Sequence, residues 1–387
     1  MAKRRTRATH TGHVGVLNPA AAIAVCVFAL AMLGVSVLFS ASLPVDATDP
    51  YRIIEKQAVW MGITFIAGLL VLKVDLEWAR KFIWLGYGIC VAGLILVLLP
   101  GIGSSINGSR SWFRFGPFSL QIAEFAKVGL VFFLAHYYSL IRKDSGTFWK
   151  GFIFPCLAIG LVVGLIMLQT DLGTALIISM VSFCLLYLAG ANVFFLAGSS
   201  FAALVPVGFL ISKDPERLSR LTAFMDMEGN KSGDAYQVWQ AILAFAAGGI
   251  EGVGPGNGRQ QLRSLPEAHT DFIFAIVGEE FGLIATLAVV LVFMGLFAAG
   301  VAHVRKAPNT YQFLLASGCL LTISIQALVN LGVVTGSLPT TGLPLPFISY
   351  GGSNFLVMGI CVAFLLNTSL AWQSPALKNS KRKLKEI

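Results

Sequence analysis

Ala285 to Phe297 reads ATLAVVLVFMGLF, and Val91 to Leu99 reads VAGLILVLL. Neither run has a polar face. A surface helix carries a polar stripe and a half-buried strand alternates, so a segment apolar all round belongs in hydrocarbon or in a large core. Such runs recur along nearly the whole 387-residue chain, each close to the roughly 20 residues that take a helix across about 30 Å of hydrocarbon. Composition agrees, with 56% hydrophobic and 12% charged residues and a mean hydropathy of +0.78, against an ordinary charged fraction of about 25%. Barrel strands alternate polarity over segments of about ten residues, which these runs do not. The expected fold is all-α and polytopic.

Segmentation gives ten transmembrane helices, near 20–40, 56–72, 82–100, 121–141, 152–168, 174–190, 193–211, 273–300, 311–335 and 347–370. An even count leaves both termini on one side. Lys3, Arg4, Arg5 and Arg7, with Lys378, Lys381, Arg382, Lys383 and Lys385, make that side cytoplasmic by the excess of basic residues on inner segments. Lys73, Arg80, Lys81, Arg142, Lys143, Lys150, Arg305 and Lys306 fall on connections of the same side. The net charge of +9 thus reflects topology and attraction to anionic membrane lipid, and nucleic acid is not an expected partner. The first apolar run follows basic residues as a signal peptide does, but nine further helices follow it and it reads as an uncleaved span. The six cysteines, Cys26, Cys90, Cys156, Cys184, Cys319 and Cys361, sit inside spans without CxxC spacing and read as packing residues.

Three regions divide the chain: a basic tail at 1–19, a membrane domain at 20–370 and a second basic tail at 371–387. The longest connection, 212–272 between the seventh and eighth helices, falls on the extracytoplasmic side. It holds a charged part, KDPERLSRL, an amphipathic part, AYQVWQAILAFAAGG, expected at the interface or re-entering, and a glycine-rich part, GVGPGNGRQQ. No strand precedes those glycines and no Gly-Lys-Ser/Thr follows, so they read as a flexible turn and not as a phosphate loop.

The connection ends in LPEAHTDFIFAIVGEE, 265–280, which gathers Glu267, His269, Thr270, Asp271, Glu279 and Glu280 at the mouth of a span. A carboxylate near hydrocarbon is costly unless a partner or a wet cavity receives it, which makes it a functional candidate. Thr270 or Asp271 could equally cap the next helix. Three other outer connections carry polar residues. NGSRSWFRFGPFSLQIAEFAK brings Arg110, Trp112 and Arg114 beside Glu124 and Lys127, which are three apart and can pair on one helix face. QTDLGT brings Gln169 and Asp171, the latter a cap or a cavity group. SLPTTGLPLPFISYGGSN brings Ser349, Tyr350 and Gly351 in backbone too rich in proline and glycine to be regular helix. Arg110, Lys127, Asp171, Asp271 and Ser349 would converge from four connections on one cavity. Two classes fit: an enzyme at the outer leaflet with a carboxylate base, or a transporter. The ionisable groups gather on the outer side and no internal repeat is evident, whereas a transporter loads its midplane.

PEAHTDFIFAIVGEEFG, GSRSWFRFGPFSLQIAEFAK, QTDLGTA and LPFISYGGSN, in this order and within ten spans from about 20 to 370, closely resemble the SEDS family of shape, elongation, division and sporulation proteins. The resemblance implies a peptidoglycan glycosyltransferase that polymerises lipid II and works with a class B penicillin-binding transpeptidase amid division or elongation machinery. A lipid II flippase is its transporter alternative. Ala268 and the 235–258 stretch look more like the division branch, whereas Pro344 and Pro346 lean to the elongation branch. The resemblance makes Asp271 the catalytic aspartate. Arg110, Trp112, Glu124, Lys127, Gln169, Asp171, Glu267, His269, Thr270, Ser349, Tyr350 and Gly351 are candidates for substrate binding, and a divalent cation, Mg2+ or Mn2+, is a candidate partner of the diphosphate leaving group. A diphosphate departs without a general acid, so Glu267 and Glu280 are not required for chemistry. His269 either tunes the site or is a hydrogen-bonded interfacial residue.

Overall fold

The computed structural model describes residues 18–42, 51–258 and 268–373, except positions 107, 117, 214, 228, 232 and 234. The basic tails therefore lie almost wholly outside the described residues, and Glu267 lies outside them too. The ten expected spans appear as α1 (Pro19–Ser42), α2 (Arg52–Lys73), α3 (Leu76–Leu98), α4 (Ile122–Leu140), α5 (Trp149–Leu168), α6 (Leu172–Leu188), α7 (Val193–Lys213), α10 (Ile273–Val304), α11 (Thr310–Val334) and α12 (Gly352–Gln373). Seven of these are long and apolar enough among the described residues to cross a membrane, while α6 and the first part of α7 are shorter apolar helices. Helix is the form such segments must take, because hydrocarbon offers their backbone groups no other partner. The last span starts at Gly352 rather than near 347, since Phe347, with a φ of 66°, is not helical.

Among the described residues the long connection holds two more helices, α8 (Pro215–Met225) and α9 (Tyr236–Gly248). Its amphipathic part is thus α9, which buries Val238, Ala241, Ala244 and Gly248 and packs along α10. One element is not helical at all. Between α3 and α4 a three-stranded antiparallel sheet forms from β1 (Ser104–Ile106), β2 (Ser109–Phe115) and β3 (Phe118–Gln121). Gly108 and Gly116, with φ of 79° and 60°, lie between its strands where the chain must turn back.

The core is centred on α4, α11 and α12. About three-quarters of the most apolar window of α11 (78%) and of α12 (72%) is buried inside the protein, against 17% for α2, which presents most of its surface outward as a helix facing lipid does. At the end remote from Asp271, Arg80 joins three helices: Nε donates to His136 Nδ1 at 3.0 Å, Nη2 to Ser139 Oγ at 2.6 Å, and the guanidinium lies 5.0 Å from the Tyr311 ring centroid.

Candidate active site

The four polar connections do meet at one end of the bundle. The Gln121 side chain donates to Asp171 Oδ2 at 2.8 Å, and its main-chain N–H donates to Ser353 Oγ at 3.0 Å. The Tyr350 N–H donates to the His269 carbonyl at 3.0 Å, with the two rings 5.9 Å apart. Asn330 Nδ2 donates to the Asp271 carbonyl at 2.8 Å and to the Leu343 carbonyl at 2.7 Å. These bonds stitch β3, the α5–α6 turn, the turn before α10 and the segment before α12 into one polar surface.

Asp271 stands in that turn, partly buried, beside Thr270 and His269. The N-cap position of α10 is Phe272, and no side chain caps it. Thr270 and Asp271 precede that position. A Cβ on Gly342 would lie 3.7 Å from Asp271 Oδ2, so the carboxylate sits against backbone that lacks a side chain. Phe347, in the same segment as Gly342, has a φ of 66°, a left-handed conformation that costs a non-glycine residue about 1–3 kcal/mol and persists only where surroundings impose it. The burial of Phe347 and its edge-on packing against Phe355 impose it here.

Asp171 is both a cap and a site residue. Its Oδ1 accepts the Thr174 N–H at 3.0 Å while Oδ2 takes Gln121. Burial pushes its pKa up; the hydrogen bonds from Thr174 oppose that, and the nearby charges of Glu124 and Lys127 raise and lower it respectively. Burial likewise raises the Tyr350 hydroxyl, against the pull of Arg52.

Glu124 and Lys127 pair as their spacing requires, at 2.8 Å with both side chains 2% exposed. Asn354 Nδ2 donates to Glu124 Oε2 at 3.0 Å, Lys127 Nζ donates to Gln326 Oε1 at 2.8 Å, and Gln326 Nε2 donates to the Pro344 carbonyl at 2.9 Å. Charge deep in the bundle is thereby matched partner by partner. A void of about 10 Å³ lined by Lys127, Ser182 and Thr322 has room for about one water and not for a sugar. Lys127 is linked through Gln326 to the 344 segment.

Two further candidates are buried. Gln169 is buried and gives its amide to the Leu94 carbonyl at 3.1 Å, while its own carbonyl accepts Ser109 Oγ at 2.7 Å. Ser349 is buried and accepts the Leu345 N–H at 2.8 Å, closing its own turn. In both, the bonds satisfy backbone groups inside the bundle. Arg110 and Arg114 stand exposed on β2, with Trp112, partly buried, between them in sequence. Gly351 is partly buried at the start of α12.

The sequence reading missed Gln121, Gln326, Asn330, Ser353 and Asn354. Gln326 and Asn330 are four apart on one face of α11 and fully buried. Paired amides in an apolar span were the available signal, since such groups need partners there. The six cysteines are free thiols. No group of three His, Cys, Asp or Glu side chains that could hold a metal occurs among the described residues.

A multi-pass membrane bundle that converges an aspartate, a second carboxylate and a basic strand at one end defines a membrane enzyme. The chain belongs to the SEDS family: the family model for FtsW, RodA and SpoVE, described as cell cycle protein, matches residues 20–373. It is similar to a probable peptidoglycan glycosyltransferase FtsW of Trichlorobacter lovleyi, 35% identical over 349 residues that cover 89% of this chain and 91% of that one. Stage V sporulation protein E of Bacillus subtilis is 36% identical over 361 residues, covering 91% and 97%. Among solved structures, a chain of a peptidoglycan synthase complex that coordinates polymerization and crosslinking aligns with a TM-score of 0.75 at 27% identity, over 91% of this chain and 98% of that one. Rod shape-determining protein RodA of Thermus thermophilus aligns with a TM-score of 0.67 at 27% identity, over 91% and 97%. The protein is a peptidoglycan glycosyltransferase with the RodA-like fold.

Proposed function

We propose that the protein polymerises lipid II at the outer face of the cytoplasmic membrane, with Asp271 as general base. The observation that carries this reading is the placement of Asp271: outside the helix it precedes, held by its main chain to Asn330, with its carboxylate against Gly342. The carboxylate takes the proton from the 4-hydroxyl of the acceptor N-acetylglucosamine as that oxygen bonds to the anomeric carbon of the donor N-acetylmuramic acid. The anomeric C–O bond to diphosphate breaks, and undecaprenyl diphosphate leaves with the electron pair. A base positioned in this way supplies about 10²–10⁴-fold.

The leaving diphosphate needs compensating charge. Arg110 and Arg114, exposed on β2 with Trp112 between, are groups suited to it among the described residues, and Lys127 supports the site from within. His269, Thr270, Tyr350 and Gly351 border the acceptor side of Asp271. Mg2+ or Mn2+ fits as a counter-ion of the diphosphate, because such ions are commonly held by one or two carboxylates together with phosphate oxygens and water. Removing the ion with chelator and restoring it tests this part.

Orientation follows from the basic inner segments, which put both termini in the cytoplasm. A class B penicillin-binding transpeptidase is the proposed partner, supported by the similarity to a chain of a complex that couples polymerization to crosslinking. A division role is favoured by Ala268 and by the FtsW names of several relatives, with elongation as the alternative.

The test is polymerisation of fluorescent lipid II by wild type and Asp271→Asn, each with its transpeptidase. Glycan chains from wild type and none from a folded, partner-bound variant support the reading. Wild-type rates from the variant would remove Asp271 as base, and lipid II movement across liposomes without chain synthesis would favour a transporter.

A further inference from the structure

The helix α10 is interrupted at Gly282, whose φ of 72° and ψ of −169° are not helical. A break inside a span frees backbone groups on both sides, and hydrocarbon offers them nothing. Their partners come from the glycine-rich segment after α9. Val253 and Gly254 donate to the carbonyls of Glu279 and Glu280, each at 3.0 Å, and Leu283 and Ile284 donate to those of Gly249 and Ile250 at 3.0 and 3.4 Å. A Cβ on Gly252 would lie 2.2 Å from the Glu280 carbonyl oxygen, so backbone meets backbone directly. The segment expected as a flexible turn is instead the other half of a joint.

The Glu280 side chain closes that joint. It is buried, and its Oε1 accepts the Gly256 N–H at 2.9 Å together with the hydroxyl of Ser40 on α1. Burying a carboxylate is costly, and an apolar residue would fill the space at lower cost unless the contacts themselves matter. The half-helix Ile273–Phe281 follows directly on Asp271 and is anchored at its far end by this joint. Nine residues at 1.5 Å rise put Glu280 about 13.5 Å from Asp271, too far to touch the reacting atoms.

We propose that Glu280 is a positioning residue of the glycosyltransferase: its carboxylate clasps the glycine segment and α1 to the break in α10, and so fixes the half-helix that follows Asp271. This rests on the reading of Asp271 as base. A shift of about 1 Å at a catalytic group can cost about 10²-fold.

The experiment uses the full chain with its transpeptidase, fluorescent lipid II and three variants, Glu280→Ala, Glu280→Gln and Ser40→Ala. Glu280→Ala should lower kcat about tenfold or more with KM for lipid II within about twofold, the pattern of a lost transition-state alignment. Glu280→Gln keeps an oxygen for the same two donors and should restore at least about half the wild-type rate. Hydrogen exchange at 249–256, which needs no turnover, should quicken in Glu280→Ala and not in Glu280→Gln. Wild-type kcat in Glu280→Ala overturns the proposal, as does Glu280→Gln as slow as the alanine variant, which would assign the effect to charge. If Glu280→Ala does not fold, Ser40→Ala removes one donor alone and should lower kcat about twofold at unchanged KM; an unchanged kcat then overturns the clasp. A wild type that makes no glycan overturns the polymerase reading and this proposal together, whereas a wild type that polymerises no faster than Glu280→Ala overturns this one only.

Discussion

Asn330 Nδ2 holds two carbonyls at once, that of Asp271 at 2.8 Å and that of Leu343 at 2.7 Å. An amide nitrogen has two protons, and each has one of these acceptors. One side chain from the centre of the bundle thus sets the spacing between the catalytic turn and the segment that faces it. Asn330→Ala leaves two carbonyls without that donor, at about 1–3 kcal/mol for each that stays buried. We expect a lower unfolding temperature and a loss of polymerisation larger than the loss of folded protein. Asn330→Asp, which turns acceptor toward acceptor, should be at least as damaging. Thermal unfolding beside single-turnover rates checks both.

The Glu124–Lys127 pair gives a second test, because a buried ion pair and its two halves behave differently. Lys127→Met leaves the Glu124 carboxylate with Asn354 but without its countercharge, and breaking a buried pair in this way costs about 3–5 kcal/mol. The double variant Glu124→Gln, Lys127→Met removes both charges and should recover most of that stability. It should not recover activity, since the link from Lys127 through Gln326 to the Pro344 carbonyl is still lost. A double variant that regains both would reduce the pair to mutual neutralisation.

Hydropathy disclosed helices at the ten expected positions, seven of them long and apolar enough among the described residues to cross a membrane, because a membrane helix must be apolar over most of its length, and that requirement leaves a mark at each position. It disclosed nothing of the sheet at 104–121, although Asn107-Gly108 and Gly116-Pro117 are turn dipeptides flanking aromatic and β-branched residues. Between spans the eye looks for loops. The joint at Gly282 was hidden for a different reason: the apolar run continues unbroken from Phe281 to Phe297, and only the donors on Gly249 to Gly254 reveal that the helix stops and restarts. Charged residues announced Glu124, Lys127, Asp171 and Asp271. The amides that hold them, Gln121, Gln326, Asn330 and Asn354, carry no charge and passed as ordinary polar residues.

Asp171 predicts a pH dependence with a definite sign. Burial raises its carboxyl above the ordinary 3.8, so the folded protein holds that proton more tightly than the unfolded chain. Its contribution to stability is full below 3.8 and is lost as pH rises through the elevated folded value. Asp171→Asn stays neutral, and the Gln121 amide can turn to offer its oxygen to the new NH2 group. The variant should therefore lose less stability than wild type as pH rises from 3.8 toward neutrality. Thermal unfolding of the purified proteins across that range shows whether the two curves converge at the acid end and separate above it.

The glycine segment can be probed by comparing three alanine substitutions whose surroundings differ. Gly62 lies within α2 with nothing near its missing Cβ, and Gly62→Ala should stabilise by about 0.5–1 kcal/mol through helix propensity. Gly256 has a φ of 77° but open space around it, so Gly256→Ala should cost only the left-handed strain of about 1–2 kcal/mol. Gly252 has a φ of 83° and also the Glu280 carbonyl oxygen 2.2 Å from a would-be Cβ. That oxygen belongs to backbone already bonded to Gly254, so it cannot yield without parting the joint. Gly252→Ala should be the most destabilising of the three and should slow polymerisation most, ranked by unfolding temperature and by rate. If Gly252→Ala proved as mild as Gly256→Ala, the segment would be free to move away from α10, and the tight seating of the long connection on the broken helix would be wrong.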